Sequence, residues 1–130
     1  MTIANWCIVA ACVLPVITMG IAKASTHKLS RKNGGYDNHH PREWAAKLSG
    51  WQARALSAQN NGFEALPLFI AAVILAQQAY ADQATINALA LSFIAIRIAY
   101  IALYLFDYAT LRSLVWGAGV AVCIAIMAMT

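Results

Sequence analysis

Arg54-Ala-Leu-Ser-Ala-Gln-Asn-Asn-Gly-Phe-Glu-Ala-Leu-Pro-Leu-Phe69 carries an arginine, two asparagines and a glutamate into a segment that runs on, almost wholly apolar, to Ala76. An apolar stretch of this kind reads as a membrane-crossing helix, and each ionisable group inside one costs roughly 2.5–3.5 kcal/mol on insertion scales. Such groups are kept where they face a partner helix or a polar cavity. Arg54, Ser57, Asn61 and Glu64 follow one another at intervals of three, four and three residues, which on a helix puts them on one arc about 80° wide. The chain therefore holds a polar stripe within a hydrophobic helix.

A second stripe answers the first. Arg97, Tyr100, Tyr104 and Asp107 repeat the same three-four-three spacing. If the chain turns back near residue 80, two antiparallel helices bring Glu64 level with Arg97, Asn61 with Tyr100, Ser57 with Tyr104 and Arg54 with Asp107. The expectation is a ladder with opposite charges meeting at both ends, opening into a polar pocket at the Arg54 end. Arg112 follows in the first turn of the next helix, where the positive helix end disfavours a cation by about 0.3–1 kcal/mol. Together the guanidinium and the helix N-terminus favour an anion such as a carboxylate or thiolate, and Ser113 adds a donor beside them.

Composition sets the surroundings. The 130 residues are 62% apolar and only 11% charged, against about 45–50% and about 25% in ordinary soluble domains. That balance leaves too little polar surface to coat a water-soluble globule, so the chain reads as one all-α integral membrane domain over residues 1–130. The net charge of +4 is gathered in one loop beside apolar runs, the pattern of a membrane-flanking segment rather than a nucleic-acid surface. No nucleic-acid partner is expected. Cys7, Cys12 and Cys123 lie within apolar runs without metal-ligand spacing and read as small core hydrophobes. His39-His40 has no third ligand nearby, and no metal site is expected.

The predicted helices cover about 2–23, 42–79, 84–106 and 110–129, an up-down bundle of four transmembrane spans. Positive charge follows the first apolar run instead of preceding it, so that run reads as a retained helix rather than a cleaved signal. Lys23, Lys28, Arg31, Lys32, Arg42 and Lys47 crowd the loop at about 24–41 and its borders, which by the positive-inside rule makes it cytoplasmic and sets both termini on the outer side. Trp44 and Trp51 are expected at the membrane interface, Pro41 at the start of the second helix, Asp82 as cap of the third and Thr110 as cap of the fourth.

These residues carry a resemblance. Arg54-Ala55, then Asn61-x-x-Glu64-x-x-Pro67-x-Phe69, Arg97-x-x-Tyr100-x-x-x-Tyr104 and Leu111-Arg112-Ser113 resemble the MAPEG family, membrane-associated proteins in eicosanoid and glutathione metabolism, and its short bacterial members most. The resemblance extends over essentially the whole chain. It implies a homotrimer in the bacterial inner membrane, with glutathione as co-substrate held at the cytoplasmic side between subunits. By resemblance Asn61, Glu64, Tyr100 and Tyr104 hold the tripeptide, and Arg112 is the catalytic residue that stabilises its thiolate. Arg97 and Ser113 line the same region. A lipophilic electrophile or lipid hydroperoxide would arrive from the surrounding membrane lipids. The eukaryotic pattern has an arginine four residues before the asparagine; here that position is Ser57, and Arg54 is the arginine on the same face. The alternative function is a non-catalytic membrane protein that binds a lipid or amphiphile, or acts as a scaffold.

Overall fold

Apolar runs bounded by polar turns leave little choice but helices, since a helix satisfies its own backbone groups where water is scarce. The computed structural model, which describes residues 1–130, is all-α: α1 (Ile3–Ala24), α2 (Pro41–Ala46), α3 (Gly50–Gln78), α4 (Gln83–Leu105) and α5 (Ala109–Met127), with a 3-10 turn at Arg31–Asn33. Three of these helices, α1, α4 and α5, are long and apolar enough to cross a membrane. Four spans were expected; α3 is the longest helix at 29 residues, but its polar first half keeps it out of that group.

Bonds at both ends set the directions of the helices. Gln77 Nε2 donates to Thr2 Oγ1 at 2.9 Å, and Gln52 Nε2 donates to Ser25 Oγ at 2.9 Å, so α3 runs antiparallel to α1. Arg54 reaches Leu105 while Gln77 reaches Gln83, so α4 is antiparallel to α3. The turns that allow this are two left-handed residues, Tyr80 (φ 56°) and Asp107 (φ 64°). Each closes its helix in the same way: Ala81 N donates to Ala76 O and Tyr80 N to Gln77 O, Tyr108 N to Leu103 O and Asp107 N to Tyr104 O. This is the paired-bond C-terminal motif that satisfies the last carbonyls and reverses the chain. It also explains why Thr110 is not the cap of α5. The reversal at Asp107 brings the helix start forward to Ala109, and Tyr108 occupies the cap position without a side-chain bond. Asp82 does cap α4, accepting from Thr85 N at 2.9 Å.

Packing relies on small residues. Ala55, Ala58, Gly62, Ala72 and Ala76 of α3 are all buried, allowing close backbone approach in the manner of membrane helices, where dispersion rather than water exclusion holds the bundle. Gly62 is the tightest point, because a Cβ there would lie 2.7 Å from Pro15 Cγ of α1. Phe69 and Phe93 stack at 4.0 Å between centroids in the middle of the core. On the outer face of α1, Trp6, Val9, Val16 and Ile17 are exposed, as suits a helix turned toward lipid. Cys12 is on that face too, whereas Cys7 and Cys123 are buried; only two of the three cysteines are core residues.

The second predicted helix, 42–79, is two helices. α2 stops at Ala46, and α3 restarts at Gly50, whose φ of +59° is in the left-handed region that favours glycine. The break follows from Trp44. Its ring is 8% exposed and packs with Met19, Ala22 and Ala55, and its indole N–H donates to Gly34 O at 3.1 Å. Trp44 is thus buried where the loop packs on the ends of α1 and α3, while Trp51 is exposed. Tyr36 meets Trp44 edge-on at 5.0 Å and lies under the Lys23 ammonium at 4.6 Å, which folds the loop down onto the end of α1.

Candidate functional site

At the loop-proximal ends of α3, α4 and α5 a cleft of about 310 Å³ is lined by Asn61, Tyr100, Tyr104, Arg112, Ser113 and Trp116. Each helix contributes through the spacing that its sequence carries. Tyr100 and Tyr104 are a turn apart on α4, and Arg112, Ser113 and Trp116 recur on one face of α5 at three- and four-residue intervals. A second cavity, of about 270 Å³, shares Asn61 and Trp116 with the first and adds Glu64, Phe93, Arg97 and Cys123.

Four side chains form a stack across these two spaces. The Arg97 guanidinium lies over the Tyr100 ring at 4.3 Å, Tyr100 meets Tyr104 edge-on at 5.7 Å, and the Arg112 guanidinium lies over Tyr104 at 4.1 Å. A cation over an aromatic face is attracted by the ring quadrupole, by about 2 kcal/mol or more once desolvated. The tyrosines therefore hold two arginines in fixed places. The first cleft has one cation, Arg112, and no carboxylate in its wall, while Arg97 lines the second cavity together with Glu64; Arg112 adds its charge to that of the α5 N-terminus. An anion is the ligand that such a wall favours.

The ladder expected between α3 and α4 does not close. The ion pairs in the structure are Arg31–Asp37 and His40–Glu43, so neither Glu64–Arg97 nor Arg54–Asp107 is formed. Arg97 is 6% exposed and turns toward the notch between Gly62 and Pro15, its Nη2 lying 3.8 Å from the place a Gly62 Cβ would take; Glu64 stays exposed. Arg54 donates from Nε and Nη2 to Leu105 O at 3.2 and 3.1 Å. It ties down the C-terminus of α4, while Asp107, the left-handed residue of the reversal, is exposed. Ser57 is exposed. Ser113 Oγ donates to Ala109 O at 3.2 Å within its own helix, leaving its lone pairs to the cleft.

Two buried polar atoms have no partner: Asn61 Oδ1 and Arg97 Nη2. An unsatisfied buried donor or acceptor costs about 1–3 kcal/mol; Asn61 lines both cavities, whereas Arg97 Nη2 is turned to the notch between Gly62 and Pro15. Of the residues singled out from sequence, Asn61, Glu64, Arg97, Tyr100, Tyr104, Arg112 and Ser113 are brought together, and Arg54 is not. Trp116 went unforeseen. Its signal is the four-residue step from Arg112, which puts it on the same helical face.

No curated protein and no solved structure matches this chain. The sequence profile described as the MAPEG family matches residues 3–130, which is nearly the full chain, and with its all-α fold and membrane-length helices the chain belongs to the MAPEG family.

Proposed function

We propose that this protein is a membrane-embedded glutathione-dependent transferase or peroxidase acting on lipophilic electrophiles or lipid hydroperoxides. The observation that carries this reading is the orphaned acceptor Asn61 Oδ1 on a residue of the cleft that Arg112, Tyr100 and Tyr104 also line. A peptide ligand supplies amides for the acceptor and carboxylates for the donors. Asn61, Glu64, Arg97, Tyr100 and Tyr104 hold the tripeptide, with the Ser113 hydroxyl as a further contact through its lone pairs. Arg112 is the catalytic residue: its positive charge lowers the pKa of the bound thiol and raises the thiolate fraction at neutral pH. In conjugation the thiolate sulfur bonds to the electrophilic carbon as the leaving group departs. With a hydroperoxide the sulfur takes the distal oxygen, the O–O bond breaks, the alcohol leaves, and a second glutathione thiol yields the disulfide and water.

In this reading α3 is a fourth span, its polar face covered by partner subunits of a homotrimer in the bacterial inner membrane. The loop between α1 and α3 and the cleft lie on the cytoplasmic side, and both termini lie outside. Isothermal titration of glutathione into detergent-purified protein tests it: wild type binds saturably, and both Asn61→Ala and Arg112→Ala bind at least tenfold more weakly. No binding by a folded wild-type oligomer sinks the proposal.

A second reading has its own observation. Arg54 is committed to Leu105 O, and Ser57 stands where eukaryotic members carry an arginine, so neither offers a free cation to a glutathione carboxylate. That favours a non-catalytic protein whose cleft takes a lipid or amphiphile. A lipid that co-purifies, is displaced by Arg112→Ala and is indifferent to glutathione selects this second reading.

A further inference from the structure

The loop between α1 and α3 has a cavity of its own, of about 310 Å³, sharing no residue with the Asn61–Arg112 cleft. Only two of its twelve lining residues, Trp44 and Leu48, are hydrophobic, so it is built for a polar ligand. Its size is at the small end of the range for small-molecule sites, about 300–1,000 Å³. We propose that this cavity binds a phosphate-bearing group, held by Lys32, Lys47 and Arg31, in a wall that also carries Asp37 and Glu43.

The charges converge from separate elements. Arg31 and Lys32 come from the 3-10 turn and Lys47 from the end of α2; Ser49 and Gln52, at the start of α3, complete the wall. Arg31 is 3.8 Å from Asp37, and His40 is 3.9 Å from Glu43. Asp37 stays ionised beside Arg31, because its acceptance of the His39 backbone N–H holds its carboxyl below the usual range. Lys32 and Lys47 have no carboxylate within the 4.0 Å of an ion pair, so two ammonium groups face the cavity uncompensated. The two carboxylates in the same wall suit a ligand that carries an amine or hydroxyl beyond its phosphate.

The rim is fixed before any ligand arrives, which reduces the ordering cost of binding. Asn33 N and Gly35 N both donate to Ser30 O, at 3.0 and 2.9 Å. Trp44 clasps Gly34 from below, and Tyr36 N donates to Thr26 Oγ1 at 3.0 Å. A Cβ on Gly35 would collide with the Leu29 and Ser30 carbonyls, so the turn closes only with glycine there. The segment leaves one membrane-length helix, α1, and leads into α3; with α3 as the fourth span proposed above, the cavity lies near the lipid headgroups. Basic pockets at such borders recognise lipid phosphates. A phospholipid headgroup and a soluble phosphomonoester share the chemistry.

The test uses the full chain in a neutral detergent, with calorimetric titration of two probes: short-chain phosphatidylethanolamine and free O-phosphoethanolamine. Both exposed lysines are replaced together, Lys32→Ala/Lys47→Ala, and thermal unfolding is followed to show that the loop stays folded. The expected result is saturable binding of at least one probe, weakened tenfold or more in the double variant and by added salt, with unfolding and glutathione binding unchanged. Binding of the lipid alone assigns the site to the membrane; binding of both, or of the soluble compound alone, assigns it to a phosphorylated small molecule. The proposal is overturned if neither probe saturates, or if the double variant binds as wild type does.

Discussion

Helix α3 meets its neighbours with amide side chains at both ends, and the two ends behave in opposite ways. At the Gln77 end the amides use one another up. Gln77 Nε2 donates to Thr2 Oγ1 and Gln83 Oε1, Gln83 Nε2 donates to Asn87 Oδ1 at 2.8 Å, and the same oxygen accepts from Ala4 N at 3.0 Å. At the Asn61 end the acceptor is orphaned, the buried arginine has a free donor, and the two tyrosines are held by cations from above and below. Hydrogen-bonding groups are present at both ends, but only at one are they satisfied within the chain. A polar cluster that closes on itself fastens the bundle; one left open carries an unmet cost that a ligand removes.

If this contrast is right, removing a polar group from the open end costs chemistry and not stability. The largest effect is expected for Arg112→Ala, which lowers the rate of glutathione conjugation to a model aromatic electrophile by about 10²–10³-fold, the usual consequence of deleting one electrostatic stabiliser. Its unfolding midpoint in mixed micelles stays at the wild-type value. A fall in stability with no change in rate would make the open end a fastening like the other. Next in size is Gly62→Ala, one residue beyond Asn61 at the open end. The added methyl meets the rigid Pro15 ring at 2.7 Å and crowds the Arg97 guanidinium, so α1 must shift at a cost of about 1–3 kcal/mol. Denaturant titration in micelles measures it. A neutral result would show that Arg97 has room elsewhere, with Glu64 as its natural destination.

The positions of most helices could be read from the chain because hydrophobic runs and end signals are local. Asp82 and Pro41 start their helices where expected, and Asn61, Tyr100 and Tyr104, matched by spacing, line one cleft with Arg112, which the family resemblance had set beside them. Two features were not legible, for different reasons. The break at Lys47–Ser49 depends on Trp44 being drawn under Gly34 by the loop, a tertiary contact that overrides a segment with no local stop signal other than Gly50. The absent Glu64–Arg97 pair is a matter of rotation about the helix axis. Matching distances from the turn give depth along the axes, and Arg54 reaching Leu105 bears that depth out. The direction in which Arg97 points is decided by a notch between Gly62 and Pro15 that exists only after α1 has packed on α3.

The closed end makes the two smaller predictions. Asn87→Ala leaves Ala4 N and the Gln83 amide without their acceptor. It should lower stability by about 0.6 kcal/mol, the average for polar contacts between membrane helices, while glutathione affinity by calorimetry stays unchanged. A matching loss of affinity would mean that the two ends communicate through α3. Smallest of all is the pH response of the cap on α4. Asp82 Oδ2 accepts from the Thr85 amide at 2.9 Å and the Thr85 hydroxyl at 2.6 Å, and these bonds, the hydroxyl's first, hold its carboxyl below the ordinary aspartate value of 3.8. A depressed native value means that the carboxylate's contribution is fully present above the unfolded value and is lost as the pH falls through the native one. Amide exchange at Thr85, referenced to its intrinsic rate, should therefore show constant protection from pH 8 to pH 5 and lose it only below about pH 4. Asp82→Asn should remove that pH dependence, because its side-chain carbonyl accepts without titrating. Protection at Thr85 that already falls between pH 8 and pH 5 would show that some group other than Asp82 governs the start of α4, and the closed end would then have an unsatisfied partner of its own.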